Sequence, residues 1–212
     1  MTVGAVAGEW TVVLTLLPFQ DAAVDGLYIT AVVVTTAVLL IVANERHANL
    51  VEHLARSAQI DPLTGLSTRR ALDEAGAVAE SLAETDRGSA LILLDVDHFK
   101  EINDGHGHPS GDAVLVQFAD LMRRRTRGTD VACRLGGDEL AIMLLGCSAE
   151  QARSRAEEIH AAVMTHPFRL DDGAVVSVSA SVGYAHLPTH GTDLASLYSA
   201  ADAALYRAKQ AG

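Results

Sequence analysis

Two apolar runs, residues 131–133 and 141–145, flank Arg134-Leu135-Gly136-Gly137-Asp138-Glu139-Leu140, and an antiparallel hairpin is the simplest structure for that order. The paired glycines supply the positive φ that a two-residue turn demands, so Gly136-Gly137 is expected at the bend with Asp138 and Glu139 at its tip. Adjacent carboxylates repel and raise each other's pKa unless a cation sits between them. The turn is therefore either a solvated hairpin tip or half of a divalent-metal site.

A second acidic cluster bears on that choice. Residues 90–94 form a continuous apolar run typical of a central strand, which ends in Asp95-Val96-Asp97-His98-Phe99-Lys100. Asn103-Asp104 and Gly107-His108-Pro109-Ser110-Gly111-Asp112 follow. Acids at the end of a buried strand seldom serve stability. An Asp there can face a metal held by the hairpin carboxylates, leaving positions for substrate phosphates, and Lys100 adds a compact positive charge for those phosphates. The alternative is a strand capped by a polar loop.

These residues resemble the GGDEF domains of bacterial diguanylate cyclases. The resemblance runs from Asp61 to Gly212 through Asp61-Pro62-Leu63-Thr64-Gly65-Leu66, the Asp95 to Lys100 block with Asn103-Asp104, and Gly107-His108 with Gly111-Asp112. It continues through Gly136-Gly137-Asp138-Glu139, Ser179-Ala180-Ser181-Val182-Gly183 and Ala201-Asp202-Ala203-Ala204-Leu205-Tyr206-Arg207-Ala208-Lys209.

The resemblance implies an enzyme, a nucleotidyltransferase that condenses two GTP into cyclic di-GMP and two pyrophosphates in a homodimer of GGDEF domains. It implies Mg²⁺ (or Mn²⁺) held by Asp95, the Val96 carbonyl and Asp138, with Glu139 reaching a second metal or helping to take the hydroxyl proton. Asn103 and Asp112 would read the guanine edge, and His108 and Leu115 would line the base pocket. Lys100 and the backbone amides near His98 and Phe99 would meet the phosphates, and Lys209 would touch the terminal phosphate. An Asn and an Asp suit guanine's donor and acceptor pattern, and adenine would leave them unpaired. A GGDEF domain that only binds GTP or cyclic di-GMP to regulate another process is the alternative, though it would be expected to lack one of these carboxylates. A cyclase making a single-nucleotide product fits the motifs less well.

Arg127-Gly128-Thr129-Asp130 matches the family's Arg-x-x-Asp inhibitory site and so implies feedback by cyclic di-GMP; an exposed ion pair is the plain alternative. Glu158 stands where relatives often carry a second product-binding Arg. Leu140 replaces the usual Phe, with an expected loss of packing of about 1–3 kcal/mol. Thr68 replaces an Asn but retains the capacity to cap the helix that follows.

A formal net charge of −11 argues against a nucleic-acid-binding surface of the usual kind, which depends on clustered Lys and Arg, and it makes metal neutralisation necessary for a triphosphate. Cys133 and Cys147 lie in or beside apolar strands without metal-site spacing, as reduced core thiols would. Three parts are expected along the chain: a membrane segment over 1–43, a connecting helix over 44–60 and the GGDEF domain over 61–212. Residues 27–43 form one uncharged apolar span, and 4–19 form a possible second, interrupted by Glu9 and Pro18. Asp21 and Asp25 precede the stronger span while Arg46 and Arg56 follow it, which places the catalytic domain on the cytoplasmic side of a bacterial inner membrane. In the connecting helix, His47, Val51, Leu54 and Ala58 trace a short heptad seam suited to dimerisation.

The expected fold is α+β, a central and mostly antiparallel sheet with flanking helices. Its order is a helix from Thr68 to about Leu82, a strand over 90–94, a short helix after Asp97 and a long helix over 111–125. The hairpin follows, then a helix over 149–165, a strand pair turning at Asp171-Asp172-Gly173 and a final helix over 194–209.

Overall fold

The computed structural model describes residues 19–57, 59–83 and 88–211, with side chains described from residue 26 and not over 47–58. The possible second span (4–19) therefore lies outside the described residues but for Phe19, as do Ala58 and the side chains of His47, Val51 and Leu54 in the proposed seam. The chain divides into two units, Met1–Ala55 and Arg56–Gly212.

In the first unit, helix α1 (Phe19–Ser57) continues unbroken through the apolar run into the connecting segment. Within it Gly26–Arg46 is 21 residues long with a mean hydropathy of 2.4, long and apolar enough to cross a bilayer. Its threonines satisfy themselves locally: the hydroxyls of Thr30, Thr35 and Thr36 each donate to the carbonyl four residues back.

The second unit contains β1 (Ser67–Thr68), α2 (Arg69–Ala83), β2 (Ser89–Val96), α3 (Phe99–His106), α4 (His108–Arg125), β3 (Val131–Gly136) and β4 (Glu139–Leu145). After these come α5 (Ala149–Thr165), β5 (Pro167–Arg169), β6 (Val175–Ser177), β7 (Ala180–Leu187) and α6 (Leu194–Ala211). The main sheet has the order β1-β3-β4-β2-β7, antiparallel except for the β1–β3 pair. The α+β expectation is met, and β5 with β6 forms a separate two-stranded ribbon around Asp171-Asp172-Gly173.

Helices cover both faces of the sheet, which explains why β2 is apolar without alternation. On one face Val114, Leu115, Phe118, Leu121 and Met122 of α4 pack with α5, the ribbon and Leu94, Leu140 and Ile142 of the sheet. On the other, Leu72 and Ala79 of α2 and Leu197, Ala201 and Leu205 of α6 pack on Leu91, Leu93, Ala141 and Met143. Gly183 lets α6 lie directly on β7, since a Cβ there would meet the Leu205 nitrogen and the Ala201 carbonyl oxygen. Cys133 and Cys147 are free and buried, and burial pushes their thiols up to about 12 and about 11.

Two boundaries differ from the sequence reading in ways that shape the site. β2 extends through Asp95 and Val96 because β7 pairs with it that far, so Asp95 is a strand residue and not the start of a loop. The hairpin bend lies one residue later than expected. Gly136 pairs with Glu139, leaving Gly137 and Asp138 as the two turn residues, with an irregularity between Arg134 and Gly136.

Candidate functional site

Cross-strand register positions the first two carboxylates. Asp95 of β2 stands directly opposite Glu139 of β4, on the face that Leu91, Leu93 and Ala141 share with α2 and α6. Facing partners in such a pair have Cβ atoms about 5 Å apart. The turn then brings in Asp138, whose carbonyl accepts from the Val96 N–H at 3.4 Å. From α6, the Lys209 ammonium reaches Asp95 Oδ2 at 2.7 Å.

The electrostatics describe an excess of negative charge around one cation. Burial pushes the Asp95 carboxyl above its usual range; Lys209 opposes this, and the charges of Asp138 and Asp97 add to it. Burial works against the Lys209 ammonium, yet its hydrogen bond to Asp95 and the charges of Asp95, Asp138 and Glu139 raise its pKa. Asp97 is fixed beside the cluster, accepting from the Ser181 hydroxyl at 2.7 Å.

This donor set fits a hard divalent ion. Among the described residues no three His, Cys, Asp or Glu side chains close a metal cage by themselves. Two carboxylates and a carbonyl are what Mg²⁺ uses when substrate phosphates and water complete its shell. A cavity of about 740 Å³ opens beside Asp95 and Lys209 and runs along β7 toward His160 and Tyr184.

The segment after β2 turns sharply. His98 has φ 55 and ψ 25, a left-handed conformation uncommon outside glycine, and α3 starts at the next residue. The first N–H groups of α3, from Phe99 and Lys100, thus lack intrahelical acceptors and lie next to the carboxylate cluster, a ready position for phosphate. Lys100 is exposed, and the His98 ring, also exposed, pairs with Glu101 at 2.8 Å.

The predicted base-reading residues fall on two packed helices. Asn103 lies on α3 against Gly111 of α4, where a Cβ would meet its Oδ1, and Asp112 is the next residue along α4. His108 and Asp112 are exposed. Leu115 is enclosed in the α4-side core at 1% exposure, a packing position in this structure.

Arg127 and Asp130 share a turn in which the Arg127 N–H donates to Asp130 Oδ2 at 2.9 Å. They line a small cleft with Cys147, Gln151 and Arg155. Arg155 was not singled out in the sequence; it pairs with Glu158 at 3.3 Å, so a cation stands in the cleft one helical turn before the acidic position. Arg134 likewise had no role assigned from sequence; its guanidinium contacts the Gly137 carbonyl and the Asp61 carboxylate.

A buried strand carboxylate, Asp95, a turn carboxylate, Asp138, and the start of α3 thus lie near one another around Lys209. Residues 58–212 match the family described as diguanylate cyclase, GGDEF domain. Over 167 residues the chain is 39% identical to diguanylate cyclase DgcP of Pseudomonas aeruginosa, covering 78% of this chain and 24% of DgcP. It is 39% identical over 165 residues to diguanylate cyclase TpbB of the same species, covering 74% and 36% respectively. The solved GGDEF domain of TpbB superposes with a TM-score of 0.69, covering 72% of this chain and 90% of that one at 39% identity. The coiled coil and GGDEF domain of DgcB from Caulobacter crescentus, solved in complex with c-di-GMP, gives a TM-score of 0.67 at 29% identity, covering 86% and 94%. This chain belongs to the GGDEF family of diguanylate cyclases. It spans less than half the length of both curated cyclases.

Proposed function

We propose that the chain is a membrane-anchored diguanylate cyclase that condenses two GTP into cyclic di-GMP and two pyrophosphates. The observation that carries this reading is the grouping of Asp95, Asp138 and Glu139 around the Lys209 ammonium, with Asp95 and Lys209 lining one cavity.

Asp95, the Val96 carbonyl and Asp138 would hold Mg²⁺ (or Mn²⁺). When bound, the ion supplies charge neutralisation across the triphosphate, the dominant requirement of phosphoryl-type transfer. The α3 N-terminus and Lys100 bind phosphate oxygens, and Lys209 moves from Asp95 to the terminal phosphate. Asn103 and Asp112 hold the guanine edge, orienting the nucleotide so that its α-phosphorus faces the 3′-hydroxyl of a second GTP. Glu139, exposed at the start of β4, accepts the proton of that hydroxyl as the new P–O bond forms and pyrophosphate leaves. Each domain of a homodimer supplies one GTP, so two such steps close the ring.

Arg127 and Asp130 form the product-binding site for feedback inhibition. The apolar part of α1 anchors the chain in the bacterial inner membrane with the catalytic domain in the cytoplasm, consistent with Arg46 and Arg56 following the span. Incubating the chain with GTP and Mg²⁺ and chromatographing the products tests the reading. Cyclic di-GMP from the wild type and none from Glu139→Gln is the expected result; a dimeric preparation making none contradicts it.

A further inference from the structure

The turn that carries Asp138 is built on two glycines, the residues that restrict a backbone least. Gly136 and Gly137 have φ of 150 and 55, and nothing lies within 4 Å of where a Cβ of either would stand. Local sterics therefore do not fix the bend. Hydrogen bonds from elsewhere do.

The Arg134 guanidinium is the main anchor. Its Nε and Nη2 donate to the Gly137 carbonyl at 2.9 and 2.7 Å. Its Nη1 faces both carboxylate oxygens of Asp61, at 3.3 and 3.4 Å. Asp61 is itself held by the Thr64 N–H at 2.8 Å and the Thr64 hydroxyl at 2.6 Å. The Thr64 carbonyl in turn accepts from Arg123 of α4 at 2.7 Å. On the other side of the turn, the Val96 N–H bonds the Asp138 carbonyl. The carbonyls on both sides of the Asp138 Cα are thus tied down, one through Arg134 and one by the residue after Asp95.

We infer that Arg134, held by Asp61, is a positioning residue for Asp138: its planar fork fixes the Gly137–Asp138 peptide so that the Asp138 carboxylate lies beside Asp95. This rests on the cyclase reading of the site. The Arg134 and Asp61 side chains are 15% and 19% exposed, sheltered enough for the pair to hold its geometry against solvent. Lysine cannot replace it. An ammonium is a point donor on a flexible stem, while the fork meets a carbonyl with two N–H groups and a carboxylate with a third.

The test uses the full chain in detergent as wild type, Arg134→Lys, Arg134→Ala and Asp61→Asn. Three quantities are read: thermal melting, Mn²⁺ affinity in the presence of GTP by electron paramagnetic resonance, and kcat and KM for GTP at saturating Mg²⁺. The expected pattern for Arg134→Lys is near-wild-type melting, Mn²⁺ binding weakened about tenfold or more, and kcat lowered by about ten- to a hundredfold. KM for GTP changes less than about threefold, because guanine recognition is on α3 and α4. Asp61→Asn gives a smaller loss in the same direction. Wild-type Mn²⁺ affinity and kcat in folded Arg134→Lys would overturn the inference. Failure of the wild type to make cyclic di-GMP would instead remove the cyclase reading, and the Mn²⁺ comparison would still decide whether Arg134 positions Asp138.

Discussion

Asp95 and Glu139 are cross-strand partners on one face of the sheet, so the fold holds two carboxylates together, with Asp138 in the β3–β4 turn beside Glu139. Like charges directly opposite destabilise a sheet by about 0.2–1 kcal/mol. Glu139→Gln is therefore predicted to raise the melting temperature slightly in EDTA while eliminating product formation. Differential scanning calorimetry with a parallel product assay checks both; a lower melting temperature would mean that Glu139 is not under repulsion.

Gly183 is where helix α6 touches the sheet backbone. Gly183→Ala should destabilise the second unit by about 1–3 kcal/mol through overpacking, read as a shift in denaturant midpoint. It should also lower kcat, because α6 carries Lys209.

Leu140 stands where the resemblance expects Phe, and the structure encloses it completely, at 0% exposure, beside the α4-side core. Leu140→Ala is predicted to cost about 2–5 kcal/mol and Leu140→Phe about 1–3 kcal/mol, the second because surrounding side chains close on a leucine. Urea unfolding measures both, and a stabilised Leu140→Phe would show unfilled space there.

Asp61 gives the pH prediction. Burial alone would raise its pKa, but hydrogen bonds from Thr64 and the Arg134 charge outweigh burial and hold it below the ordinary 3.8. A depressed carboxyl contributes stability that is fully present above the unfolded value and is lost as pH falls through the folded one. Stability should therefore decline from about pH 4 downward, and Asp61→Asn should flatten that part of the profile. Equal acid slopes in wild type and variant would contradict a stabilising contribution from the Asp61 and Arg134 pair.

The parts of this chain that were legible in sequence are those set by local period and composition. Val114, Leu115, Phe118, Leu121 and Met122, on one face of α4, are all buried as their spacing requires, and α5 has the predicted bounds. The acidic cluster was legible because its members fall at the ends of readable strands. What was not legible depended on partners far along the chain. β2 runs on through Asp95 because β7, some 85 residues later, pairs with it. The role of Arg134 follows from Asp61, 73 residues earlier. Arg155 enters the Arg127 and Asp130 cleft only because α5 folds back beside that turn. Leu115 has the helical spacing of a core residue, and the structure keeps it in the core.

The most direct measurement is Mn²⁺ binding to the full chain with GTP present, comparing wild type with Asp95→Asn and Asp138→Asn by electron paramagnetic resonance. Convergence of the strand and turn carboxylates on one ion predicts that each substitution weakens Mn²⁺ by at least about tenfold, with melting temperatures near wild type. Wild-type Mn²⁺ affinity in either folded variant would contradict it.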